Sequence, residues 1–377
     1  MEPQTKPNML FAVYVAGGNA TILQNLQHAI SPRSDVDSAW LPVELDSKDK
    51  VYGTHHTYRR PLIPGTFRNS MVTGEAIKAL EGAKRPFDVA YFFGHTICMF
   101  LLRFRSRVPY VLAMDGTPLW YARHRLWYAF PKFDPNSLSA RLKHLVVRRM
   151  YQKAFHLFPL SQGVRDSLVE DYGIPPEKIT VLPPGVNMPL FPCPDRRAHA
   201  APGRPMRVIF VGADFDRKGG PLVLQLAARP EFADVRFDVV TRSFSGTAPA
   251  NVQVHTNLQT NTEPMVRLFR EADVFLLPTD ADAHSVAAIE AMTMGLPVIT
   301  TTVGGIVDIV DEGKTGYLVP PRDLDVLADR VGRLRDDAEL RLRMGEAGRR
   351  RAEALFDNEK LSHTVVETMK RAAASRR

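Results

Sequence analysis

The chain has 377 residues, 45% of them hydrophobic and 24% charged, the balance of a folded protein of about two domains, which excludes a low-complexity chain. Its net charge of +8 lies entirely in residues 1–190, and eleven basic residues between Arg103 and Lys153 face only Asp115 and Asp134. No apolar run is long enough to span a bilayer, and Cys98 and Cys193 have no metal-type spacing, so the expected setting is a reducing cytoplasm.

Leu10–Val15 reads as a buried strand, turned by Gly17-Gly18 into a helix over 20–30. Glycines there let another group pass close to the backbone, although a tight strand-to-helix turn also needs them. Residues 46–67 carry no period and read as a loop. A helix over 69–81 leads to a strand over 88–93 and then Gly94-His95. A histidine at a strand's C-terminal end lies where ligand sites form in α/β sheets, and it also fits an ordinary edge residue. Residues 108–113 form the next strand, capped by Asp115, which suits either an acceptor hydroxyl or a turn before Gly116. Residues 119–133 interleave Trp120, Tyr121, Trp127 and Tyr128 with Arg, His and Lys. That mixture suits contact with an anionic membrane through 103–153, or packing on its own domain; no recognised nucleic-acid module accompanies it. An amphipathic helix over 137–155, a further helix from Ser161 and a strand over 178–182 complete the first half. The proline-bearing segment 188–205 reads as a linker.

The second half restarts with the strand 207–212. Gly212 opens a turn holding Arg217 and Lys218 before a helix from Pro221, and two cations at such a turn fit a diphosphate. The stretch 273–301 then gives strand, loop, helix and strand in short order. Val274–Leu277 is an uninterrupted apolar strand ended by Pro278, and Gly295 stops the helix. Glu290 sits on that helix among Val286, Ala287, Ala288, Ile289, Ala291 and Met292, where an ionised carboxylate is costly unless something pairs with it. A ribose diol would satisfy it, and so would an arginine from elsewhere in the fold. Asp282 in the preceding loop fits either a sugar hydroxyl or a helix cap. Small residues at the helix start, Ser285 to Ala287, let its first amides approach an anion.

The two acids with seven residues between them, followed by EAM-x-x-G-x-P-V-I-T, resemble the nucleotide-sugar site of the retaining glycosyltransferases of family 4. The resemblance implies an α/β chain of GT-B fold, two Rossmann-like domains facing across an interdomain cleft. The expected boundaries are 1–187 for an acceptor-binding domain, 188–205 for the linker and 206–356 for a nucleotide-sugar domain, with a final helix over 357–374 crossing back onto the first. It further implies transfer of a sugar, with retention, from a nucleoside-diphosphate sugar to a hydroxyl of a glycan, lipid-linked or small-molecule acceptor. The donor is a substrate, so no cofactor is expected, and cations and helix amides are expected to neutralise the diphosphate without a metal.

By this likeness Arg217 and Lys218 carry the leaving diphosphate, Glu290 holds the ribose and Asp282 the donor sugar. Gly17, Gly18, Gly212, Leu258, Ala283, His284, Ser285, Val286 and Ala287 line the donor, while His95 and Asp115 face the acceptor. The chain departs from the family in two places. Asp282 stands where Glu is usual, and Ala213 where an Arg is usual, which makes Arg217 the candidate for the missing guanidinium. No G-x-G-x-x-G follows either first strand, against a dehydrogenase. An epimerase of the same fold and a non-catalytic glycan- or membrane-binding protein are the remaining alternatives.

Overall fold

The computed structural model describes residues 6–15, 18–43, 65–83, 86–124, 138–199 and 203–375. They divide into two compact units, the first holding 6–123, 138–185 and 358–375 and the second 124 and 186–357.

The first unit is built on a parallel sheet of β1 (Asn8–Tyr14), β2 (Asp37–Val43), β3 (Val89–Phe93), β4 (Tyr110–Met114) and β5 (His156–Pro159), in the order β2-β1-β3-β4-β5. β3 and β4 are uninterrupted apolar runs and entirely buried, as a parallel sheet covered on both faces demands. β2 escapes sequence reading because it alternates buried and partly exposed residues around Pro42. It is an edge strand, where a proline removes no essential ladder bond. Residues 178–182 do not form the strand that their composition suggests. A 3₁₀ turn at Pro176–Lys178 leads to a single bridge between Leu157 and Ile179, and Pro183-Pro184 then offers no further N–H.

The helix Asn358–Ala374 belongs to this first unit. It buries Val365, Val366 and Met369 against β3, β4 and the helix Asn19–Ile30. The Asn358 side-chain amide donates to the Asn25 carbonyl at 2.7 Å, and the Asn25 amide donates to the Gly185 carbonyl at 2.7 Å. Trp120 and Tyr121, which the sequence offers to a lipid surface, are instead buried in the protein, and 125–137 lie outside the described residues.

The second unit carries β6 (Arg207–Val211), β7 (Arg236–Val240), β8 (Val252–His255), β9 (Val274–Leu277), β10 (Val298–Thr301) and β11 (Gly316–Val319), all parallel, in the order β11-β10-β9-β6-β7-β8. The chain runs outward from β6 to β8 and then returns to β9 on the other flank of β6. A topological switch therefore falls between β6 and β9, the place where open α/β sheets bind ligands. The segment 188–205 is no free spacer. The guanidinium of Arg196 donates to the carbonyls of Met294 at 2.7 Å, Ala272 at 2.6 Å, Arg270 at 3.1 Å and Phe269 at 3.2 Å. A rigid fork of donors meets a cluster of carbonyls left over at helix ends, so the segment is fastened to the second unit.

Candidate active site

The loops after β6 and β9 meet at the switch point. In the first, Gly219 has φ +85°, a left-handed conformation that side chains resist, and an added Cβ would lie 2.0 Å from the Pro278 carbonyl oxygen. Nothing larger than glycine lets the two loops close. A Gly219→Ala variant is therefore expected to lose at least about 2 kcal/mol, from the left-handed penalty together with the backbone overlap. Chemical denaturation checks this, and an unchanged midpoint would refute it. Gly212 has a related reason: an added Cβ would come 2.7 Å from the Cβ of Lys218, so the glycine makes room for that side chain.

The closed loops bring Lys218 against Asp282, its Nζ donating to Oδ2, with both side chains largely buried. Arg217 is spent differently from the sequence expectation. Its Nε donates to Asp214 at 3.1 Å and its Nη1 to the Ala281 carbonyl at 2.7 Å, while its own carbonyl accepts from the Asp280 amide at 2.9 Å. It bolts the β6 loop to the β9 loop, with Thr279 Oγ1 donating to the same Arg217 carbonyl at 3.1 Å.

The helix Val286–Thr293 starts directly from this junction. Ser285 caps it, its hydroxyl accepting from the Ala288 amide at 3.3 Å, which leaves the first-turn amides of Val286 and Ala287 without an intrahelical acceptor. Glu290 on the same helix is 3% exposed and surrounded by fully buried Ala288, Ile289, Ala291 and Met292. No hydrogen bond or ion pair reaches its carboxylate among the described residues, and burial pushes its carboxyl up to about 7. Among the described residues, the arginine partner that sequence reasoning left open does not reach it.

His284 precedes the cap with both ring nitrogens buried and unpartnered. Burial, and then the charge of Lys218, hold it down to about 3, so it presents a neutral imidazole. A cation from the β6 loop, a neutral imidazole from the β9 loop, and the first amides and unpaired carboxylate of the helix that follows thus come together. Ala283 is buried within that loop. Leu258 follows β8, two strands away from β6, and packs partly buried on the hydrophobic core.

In the first unit His95 and Asp115 follow the adjacent strands β3 and β4, so both lie at the C-terminal edge of that sheet. His95 is buried, its Nε2 has no partner, and burial with the Lys143 charge lowers it to about 3. Sequence reasoning missed Tyr151. Its buried hydroxyl also lacks a partner, and its ring stands edge-on to His95 with centroids 6.3 Å apart. The one available signal was a hydroxyl-bearing aromatic on the apolar side of the helix over 137–155. Gly18 has an ordinary right-handed conformation with open space around its Cβ position, so no local constraint demands glycine; Gly17 lies outside the described residues.

Residues 35–188 match the family model described as Glycosyltransferase Family 4, and residues 194–351 match the one described as Glycosyl transferases group 1. The chain belongs to this glycosyltransferase family. An MMP alpha-(1->4)-mannosyltransferase of Mycolicibacterium hassiacum is 26% identical over 260 residues, covering 66% of this chain and 59% of that protein. The chain thus matches rather less than two thirds of that relative's length. Among solved structures, sucrose-phosphate synthase from Thermosynechococcus elongatus superposes with a TM-score of 0.75 at 18% identity, covering 98% of this chain and 100% of that one. Anabaena HepE in complex with UDP-glucose gives 0.68 at 14% identity, covering 96% and 99%. The two-sheet α/β fold of this group-1 member is GT-B.

Proposed function

We propose that the protein is a retaining glycosyltransferase that moves a sugar from a nucleoside-diphosphate sugar to an acceptor hydroxyl without a metal. Glu290 carries this reading. A buried carboxylate with no protein partner is tolerable when a ligand supplies the missing donors, and a ribose diol offers two on adjacent carbons. The diphosphate then lies at the Val286 and Ala287 amides, where the positive end of the helix dipole and the Lys218 ammonium face the charge that grows on the leaving group. These groups supply the positive charge that a divalent cation supplies elsewhere.

Asp282 receives hydroxyls of the transferred sugar while Lys218 holds it in place. Arg217 sets the spacing of the two loops. Retention follows from same-face departure and attack, as the family likeness implies. The acceptor belongs to the first unit, where the unpartnered His95 Nε2 and Tyr151 hydroxyl, with Asp115, suit a hydroxyl-rich glycan, free or lipid-linked. HepE has been solved in complex with UDP-glucose, which supports a uridine-diphosphate sugar as the first donor to try.

The test is a thermal-shift screen of nucleoside-diphosphate sugars with EDTA present throughout, on wild type, Lys218→Ala and Glu290→Ala, each against its own ligand-free baseline. One donor should raise the melting temperature of the wild type alone. Shifts indifferent to both substitutions would remove the assigned site. Product formed from donor without any acceptor would replace transfer by epimerisation or hydrolysis.

A further inference from the structure

We propose that the outward face of the helix Leu138–Lys153 docks on an anionic lipid bilayer. The inference rests on this surface alone and is independent of the sugar chemistry. The helix carries five cations, Arg141, Lys143, Arg148, Arg149 and Lys153, and no acidic residue. An ordinary surface helix turns its leucines inward, yet here Ala140, Val147, Met150 and Tyr151 fill that role. Leu138 is 74% exposed, Leu142 57%, Leu145 58% and Val146 38%. Spacings of four, seven and eight residues put these four side chains on one stripe facing solvent.

Exposed Arg141, Arg149 and Lys153 lie on the same outward side. A segment earlier in the chain continues the pattern, exposing Phe100 and Leu102 with Arg103 and Arg107. It is held beside the helix by the Cys98 Sγ contact to Met150 Sδ at 3.7 Å.

Leucines at the centre of a face with cations around them describe a helix that lies in the headgroup plane, its apolar stripe in the acyl boundary and its charges on lipid phosphates. A second copy of this chain is a poor occupant. Self-pairing about a two-fold axis would set one all-positive face against another. Among the described residues no helix is long and apolar enough to cross a membrane.

Flotation of the full chain with phosphatidylcholine vesicles, and with vesicles also containing phosphatidylglycerol, tests this. Association is expected only with the anionic vesicles, and it should fade as salt rises. Leu142→Ser with Leu145→Ser should cut partitioning at least about tenfold, with the melting temperature unchanged because both side chains are exposed. Arg141→Gln and Arg149→Gln should each cost about fivefold. Absence of binding to anionic vesicles, or binding that survives the leucine pair, overturns the proposal. So does self-association in solution that the same leucine pair abolishes, which would make the face a contact between copies.

Discussion

Glu290→Gln is expected to make the free protein more stable above neutral pH while removing its affinity for the donor. The Glu290 carboxyl titrates at about 7 in the folded protein against 4.5 for the ordinary group, because burial strips the anion of water. Between those two values the folded chain holds a proton that the unfolded chain has released. Stability from this group is therefore complete below pH 4.5 and lost as pH rises through about 7. The difference corresponds to about 3 kcal/mol. A neutral amide of the same shape escapes that loss, so the variant should gain up to about 3 kcal/mol over wild type at pH 8 and almost nothing near pH 4.5.

Denaturant titrations at several pH values measure this directly, and a pH-independent difference would contradict it. The same proton has a counterpart in binding. A diol donates to the ionised carboxylate, so donor affinity of the wild type should rise with pH up to about 7, by up to about tenfold per unit. It should stay flat, and weak, in the glutamine variant.

The second large effect concerns Lys218. Its ammonium and the Asp282 carboxylate are both largely buried, so removing one partner strands a charge away from water. Lys218→Met should cost about 3–5 kcal/mol of stability and about 100- to 1000-fold in turnover, the scale for losing one preorganised group at a developing charge. Lys218→Met combined with Asp282→Asn should recover most of the stability, since no lone charge remains, yet stay as slow as the single variant. Recovery of turnover in the double variant would mean that neither charge acts on the donor and that the single variant is slow only because Asp282 is left unpaired.

The elements that show through most clearly in the sequence are those whose residues are apolar on both faces. The runs that became β1, β3, β4, β6, β9 and β10 are of this kind, since burial of a parallel strand writes itself directly into composition. β2 lacks that signature, because an edge strand tolerates Pro42 and half-exposed neighbours. Glu290 stood out as a carboxylate on an apolar helix, although only the structure shows that no arginine among the described residues reaches it. Arg217 illustrates the limit at the site. Two adjacent cations at a turn look equivalent in sequence, while the fold gives Lys218 to a carboxylate and spends the Arg217 guanidinium on Asp214 and the Ala281 carbonyl. Tyr151 and the outward leucines of the helix Leu138–Lys153 were hidden for a related reason: periodicity shows that faces exist, not which one the rest of the chain will cover.

The return of Asn358–Ala374 to the first unit bears on the order in which the molecule can be made. The second unit is continuous from 186 to 357 and can gather its core as soon as that length has left the ribosome. The first unit, though translated earlier, must wait with β3, β4 and the helix Asn19–Ile30 uncovered until the last helix arrives. During synthesis the half made first is thus the half that finishes last, with its apolar strands the longest to wait for cover.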